Sequence, residues 1–292
     1  MSPARHHRDR HAALGPGAIP AQPIASREEG GRTPPADHLD SASLTPARQH
    51  RLHRAAASMA AQDAGAPAPA PAPDSAGAQT MLRLVHDLRR LKEIQSIERK
   101  IEAKRAMIPE YRPWIEGLLA AARETGKAAR DEILPTIMIW LIDTGQYGEA
   151  LPLISHVLDY DIPLPARYAR TAPALIVEEI AGAALKDQLA GHSFPLEILV
   201  AVDALTVEHD MHDEIRAKMQ KAIGFEYARL AEAMDPAAPG FAAAIETALQ
   251  PLRRAQQLND RAGAKDRIKR LEKLLAPARG ASAATEPAGT AG

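Results

Sequence analysis

A chain of 292 residues that is 46% hydrophobic but only 3% aromatic has the length for a sizeable core, which alanine and the aliphatics must fill. It has no cysteine, which excludes disulfide frameworks and thiolate metal sites, and no apolar run nears the roughly 20 residues that span a bilayer. The net charge of −1 divides into basic flanks (16 Lys/Arg against 11 Asp/Glu over 1–107, 6 against 3 over 265–292) and an acidic middle (14 against 23), so a polyanion should meet the ends.

Residues 1–43 mix His, Arg, Pro and Gly without an apolar period and read as a disordered extension. No apolar stretch follows the basic start, so a secretory signal is not expected and the plain reading is a soluble, cytosolic protein. Thr45-Pro46 pairs a capping residue with a first-turn proline and opens a short Arg/His-rich helix within 44–62. The run Ala66-Pro67-Ala68-Pro69-Ala70-Pro71-Ala72-Pro73 cannot be helical, which makes 63–80 a semi-rigid linker. Met81, Leu84, Leu88, Leu91, Ile94, Ile97 and Ile101 then recur every three or four residues among Arg and Lys. This stripe predicts one long basic amphipathic helix over 81–108, suited to joining copies of the chain and to meeting DNA. Its heptad slips near Leu91, and it stops at Ile108-Pro109.

Residues 109–276 read as helical hairpins. Helices are expected from Pro113 to Arg123, Ala128 to Thr144 and Tyr147 to Tyr160, then near 173–190, 195–207, 212–234, 241–259 and 264–276. Pro135 and Pro152 should kink their helices or mark late starts. The stretch Trp140-Leu141 through Gly145-Gln146-Tyr147-Gly148-Glu149-Ala150-Leu151 has the texture of a tetratricopeptide hairpin. Gly240-Phe241 through Leu249 repeats it loosely, at a separation that is no 34-residue tandem array. No strand pattern occurs, and 277–292 reads as a disordered tail. The fold class is all-α: a long N-terminal helix, tetratricopeptide-like hairpins and disordered termini.

Catalytic signals are sparse. Gly126-Lys127 is followed by Ala128 and lacks the upstream glycine and preceding strand of a phosphate loop. Asp87 with Glu102-Ala103-Lys104 superficially matches an acid, acid-x-Lys nuclease pattern. That chemistry needs carboxylates on adjacent strands around a hard cation, and here all three fall on one predicted helix. His209, Asp210, His212, Asp213 and Glu214 form the one dense set of candidate metal ligands. The alternative reading makes Asp210 the cap of the next helix, with Asp213 and Glu214 at its positive end. Arg48, His50, Arg51, His53 and Arg54 put guanidinium groups where they can grip phosphate without reading sequence. Trp114, Trp140, Tyr147 and Tyr160 could stack on bases, but Trp140 sits in the apolar run 136–142 and reads as core.

Six ordered blocks over 44–276 resemble the small terminase subunits of temperate contractile-tailed phages that package DNA with cohesive ends. They begin with Ser43-Leu44-Thr45-Pro46-Ala47-Arg48-Gln49-His50 with Arg54, and Lys104-Arg105 with Pro113-Trp114-Ile115-Glu116-Gly117. The longest is Ile133-Leu134-Pro135-Thr136-Ile137-Met138-Ile139-Trp140-Leu141-Ile142-Asp143-Thr144-Gly145. Arg170-Thr171-Ala172-Pro173 with Glu178-Glu179-Ile180-Ala181, then Asp210 through Lys218, follow in order. Leu252-Arg253-Arg254-Ala255-Gln256-Gln257-Leu258 with Arg270-Leu271-Glu272 completes the set. The resemblance implies binding at the packaging-initiation site, partnership with the large ATPase–nuclease subunit, homo-oligomer formation and a place in the bacterial host cytoplasm.

The first reading is therefore a binding module, with Arg48, Arg51, Arg54, Arg89, Arg90, Arg99, Lys100, Lys104 and Arg105 on duplex DNA, and with neither cofactor nor membrane. Members of the family are often labelled endonuclease subunits. The alternative is accordingly a metal-dependent endonuclease that cuts the cohesive-end site with Mg²⁺, although no catalytic constellation is evident in the chain. A third reading is an adaptor without DNA affinity.

Overall fold

A computed structural model describes residues 45–62 and 75–283. The expectations for 1–43, for the Ala-Pro run and for the chain beyond Ala283 lie outside the described residues. Among those described, every regular element is helical. The order is α1 (Pro46–Gln62), α2 (Ala76–Glu93), α3 (Ile97–Met107), a 3₁₀ turn (Ile108–Tyr111), α4 (Arg112–Thr125), α5 (Ile133–Asp143), α6 (Tyr147–Asp159), α7 (Ala172–Leu189), α8 (Leu196–Thr206), α9 (Asp213–Glu232), α10 (Phe241–Leu258) and α11 (Lys265–Ala283). No helix among them is long and apolar enough to cross a membrane.

The single helix expected over 81–108 is two. Ile94 is extended (φ −79°, ψ 123°), and Ser96 caps α3 by accepting the Arg99 N–H at 3.4 Å. A serine able to satisfy a free backbone donor makes a new start there cheaper than continuing the helix. The stripe expected to join copies is mostly used inside the chain. Leu84 and Leu91 are buried, while Met81, Leu88 and Ile94 pack on the same core. Ile97, past the break, is 75% exposed.

Other boundaries move for local reasons. Ser75 accepts the Ala78 N–H at 3.2 Å, so α2 begins at Ala76 and the linker ends earlier than expected. The helix expected from Ala128 begins at Ile133, with Pro135 in its first turn and the Asp131 carboxylate accepting the Leu134 N–H at 3.3 Å. Pro152 is carried inside α6. The backbone of α11 runs helical to Ala283, through Pro277. Ala276, Ala278, Ala281 and Ala283 favour that continuation.

The helices pair in sequence, α5 with α6, α7 with α8 and α9 with α10, and alternate helices (α5 with α7, α7 with α9, α6 with α8) also touch. One apolar cluster runs from α1 to α9. Trp114, Trp140 and Tyr111 are its largest fully buried side chains, and Tyr111 meets Trp140 edge-on at 6.0 Å. A second cluster joins the end of α9 to α10 and α11. Between the pairs, Glu226 on α9 is almost wholly buried. It accepts the Gln188 amide and the Phe194 N–H, each at 2.9 Å, and the Arg229 Nε–H at 2.8 Å. One carboxylate thus ties α7 and the α7–α8 turn to α9.

Candidate nucleic-acid interface

Helix α1 is held against α4 at Gly117. A Cβ there would lie 2.5 Å from the His53 carbonyl oxygen and 2.7 Å from Ala56 Cβ, so only glycine permits the approach. Ala56 turns into this contact and is buried, and Leu52, one turn earlier, is also buried. The basic helix is therefore part of the folded body, and its burial sets which arginines face outward.

Arg48, Arg51 and Arg54 are all exposed. Arg48 and Arg51, with Thr45 and Leu52, form one wall of a cleft of about 480 Å³. Ala76, Gln79, Thr80 and Arg83 of α2 form the other wall, and Glu110 of the 3₁₀ turn completes it. The Arg83 Nη1 group pairs with Glu110 Oε2 at 2.5 Å. Three guanidinium groups thus share a cleft with one carboxylate, and neither Arg48 nor Arg51 has an ion-pair partner among the described residues. Gln79, Arg83, His86 and Arg90 follow one another at helical spacing, so Arg90 extends the cleft's face along α2. Arg89 is exposed but turned about a quarter of the helix circumference away from that face.

The remaining nominated residues divide. Arg99 is exposed and Lys100 half-buried on α3. Lys104 pairs with Asp143, and the Arg105 guanidinium donates to the Thr144 carbonyl oxygen at 2.9 Å. These two cations brace α3 against the C-terminal end of α5, where a helix welcomes positive charge. Arg83, Gln79 and Glu110 were not foreseen. The spacing of Gln79, Arg83, His86 and Arg90 was available as a signal, but their meeting with α1 depends on the α1–α4 contact.

The residues offered for metal chemistry stay apart. Asp87 accepts the Tyr111 hydroxyl at 2.6 Å, and burial with this hydrogen bond pushes the Tyr111 phenol well above its usual range. Glu102 is exposed and Lys104 is paired with Asp143. His209, Asp210, His212, Asp213 and Glu214 run along the loop into α9, and all but His209 are exposed. Among the described residues no three His, Asp or Glu side chains are grouped to hold an ion. The donor set for a divalent cation is therefore not assembled by these residues. Asp210 is not the cap of α9 either, since the cap position is His212, without a side-chain bond. Asp213 and Glu214 do occupy the first turn.

The aromatic side chains are occupied internally. Trp114 and Trp140 are buried, and the Trp114 Nε1–H donates to Asp131 Oδ2 at 2.8 Å. Tyr147 packs against Phe194, with ring centroids 4.9 Å apart, and the Tyr160 hydroxyl reaches the Ala122 carbonyl oxygen at 3.5 Å. Gly126, at φ 69°, ends α4 in the left-handed region, a helix terminator rather than part of a phosphate loop.

The sequence profile of the phage small terminase subunit family matches residues 81–214. Over 233 residues the chain is 37% identical to the terminase, endonuclease subunit of Escherichia phage P2, a match covering 80% of this chain and 86% of that protein. It is 22% identical over 191 residues to the probable terminase, endonuclease subunit of Haemophilus phage HP1 (strain HP1c1), covering 65% and 66% of the two chains. No solved structure matches.

Proposed function

The chain belongs to the phage small terminase subunit family, and from that premise we propose that it holds double-stranded viral DNA at the packaging-initiation, cohesive-end site. In this proposal it brings the large ATPase–nuclease subunit to that site in the host cytoplasm. The observation that carries the reading is the cleft between α1 and α2, where Arg48 and Arg51 face outward beside Arg83 without a carboxylate of their own. Guanidinium groups without a carboxylate partner give up no ion pair on meeting phosphate, which they can engage through two N–H groups at once. Arg90, Arg99 and Lys100 extend the positive surface, and Arg54 and Arg89 add to its field.

Duplex binding measured across a salt series tests this. Neutralising about six phosphates gives a slope of log affinity against log salt near −5. Arg48→Gln with Arg51→Gln should make that slope shallower by about 2, and binding indifferent to salt would overturn the proposal. Leu84, Leu91 and Met107 belong to the core, so side-chain neutralisation is the clean test and deletion of the first 107 residues is not. We place any contacts between copies of the chain outside the 81–107 stripe, because five of its seven apolar residues, Met81, Leu84, Leu88, Leu91 and Ile94, pack in or on the chain's own core; sedimentation equilibrium reads the resulting mass.

A second reading comes from the word endonuclease in the names of both relatives. We assign cutting to the assembly with the large subunit rather than to this chain, because Asp210, Asp213 and Glu214 spread along an exposed loop and helix start. Mg²⁺-dependent cleavage of cohesive-end DNA by the purified chain alone, lost on replacing those three residues, would reverse that assignment.

A further inference from the structure

The C-terminal helices carry a second positive surface. Phe241, Ile245, Leu249 and Leu252 of α10 pack with Leu271 and Leu275 of α11 and with Ala228 and Ala231 of α9. This contact fixes which side of α11 faces out. Lys265, Lys269 and Lys273 recur every four residues on the side away from Leu271 and Leu275, and all three are exposed. Helical rise spaces them about 6 Å apart along the axis. Arg261, also exposed, stands in the turn that enters α11.

Two of the carboxylates nearby, Glu232 and Glu272, are engaged by arginines, while Asp260 and Asp266 are exposed. Glu232 pairs with Arg267 at 2.9 Å and with Arg270 at 3.2 Å, and Glu272 pairs with Arg253 at 2.7 Å. Asp266 lies in the first turn of α11, where it meets the positive end of the helix. Over 241–276 eight Lys/Arg stand against four Asp/Glu. Among the described residues, Arg261, Lys265, Lys269 and Lys273 have no ion-pair partner, although three neighbouring arginines do.

We propose that the row Lys265, Lys269 and Lys273, entered by Arg261, is a second seat for the phosphate backbone of duplex DNA, separate from the α1–α2 cleft. The proposal rests on DNA being the ligand of the chain. Protein interfaces centre on buried apolar or aromatic anchors. Among the described residues the exposed large apolar ones, Leu82, Ile97, Leu189, Val200, Val207 and Leu230, all lie outside α10 and α11. A regular row of point charges without such an anchor suits a ligand whose own charge repeats, and a DNA strand presents a phosphate about every 3.4 Å of axis. Ammonium groups on phosphates position a duplex without reading its sequence. The two seats would let one chain hold DNA at two places, one at each basic flank of the acidic middle.

The experiment compares the full chain, the triple variant Lys265→Gln/Lys269→Gln/Lys273→Gln and the variant Arg48→Gln/Arg51→Gln on one duplex across a potassium chloride series. The lysine variant should show a slope shallower by about 3 and at least a tenfold loss of affinity near 100 mM salt, for any duplex sequence. Each single Lys→Gln change should account for about 1 of that slope, and the triple Lys→Arg variant should bind as the parent does. A lysine variant with parental affinity and slope overturns this seat while leaving the cleft standing. A parent that does not bind duplex at all overturns the cleft and the row together. Parental DNA binding combined with a changed mass in sedimentation would assign the row to a neighbouring protein and overturn it as a DNA seat.

Discussion

The guanidinium of Arg83 and the carboxylate of Glu110 meet at 2.5 Å inside the cleft that Arg48 and Arg51 also line. Glu110 therefore holds the position beside Arg83 that a phosphate would contest. Removing its charge frees one more guanidinium and one more cationic contact. We predict that Glu110→Gln tightens duplex binding about fivefold at low salt, equivalent to roughly 1 kcal/mol for a partly exposed pair. Titration of labelled duplex, with circular dichroism to check the fold, decides it; weaker binding by a folded variant would count against the cleft.

Gly117 offers a test of the α1–α4 contact. A valine there places atoms within clash distance of the His53 carbonyl and Ala56. Helix α1 should detach, since its buried Ala56 and the His53 backbone meet α4 at this glycine. Amide exchange over 50–58 should accelerate at least a hundredfold while α5 and α10 stay protected. Duplex affinity should fall to that of the Arg48→Gln/Arg51→Gln variant. Unchanged protection of α1 would show that the helix is held elsewhere.

Asp131 predicts a pH dependence of stability. Burial is the largest cause of its rise from 3.8 to about 6, opposed by the Trp114 indole N–H and the Leu134 and Ile133 backbone N–H groups. The folded state then binds a proton more tightly than the unfolded one. Its contribution is largest below about pH 4, falls as pH rises through 6, and amounts to roughly 3 kcal/mol across that window. His156, lowered mainly by burial, acts in the opposite sense around its ordinary titration range. Comparing the parent with Asp131→Asn cancels that background. The variant should gain on the parent by about 2–3 kcal/mol between pH 4 and pH 7 in denaturant unfolding. A gap that does not change with pH would place the carboxylate's titration near that of a solvated group.

Glu226 joins three donors in the interior, so its loss should be felt beyond its own helix. Glu226→Ala leaves the Phe194 N–H and the Arg229 guanidinium without this acceptor, and the Gln188 amide with only the Ala222 carbonyl oxygen. We expect a loss of about 3–5 kcal/mol, with the α7–α8 turn opening first in amide exchange. A loss under about 1 kcal/mol would mean that water replaces the carboxylate.

The all-α class and most helix positions were legible in the sequence. Aliphatics and alanine at spacings of three and four, with Pro46 at one start, are local signals, and helices are local structures. The burial of Trp140 followed in the same way, from the unbroken apolar run around it. Local periodicity also misled: Ile97 and Ile101 continue the stripe of Leu84 and Leu91, but Ser96 caps a new helix and Ile97 points outward. Spacing cannot say whether a stripe meets its own chain or another.

Which cations remain free was decided only in three dimensions. Lys104 and Arg105 are as basic as Arg48 and Arg51, yet contacts 39 residues away bind them to the end of α5. Composition and periodicity determined the helices and the basic flanks, because each depends on residues close in sequence. The α1–α2 cleft, the Arg83–Glu110 pair and the outward row on α11 depend on close approach between distant helices. That approach is set by a missing Cβ at Gly117 and by which carboxylate each guanidinium reaches first.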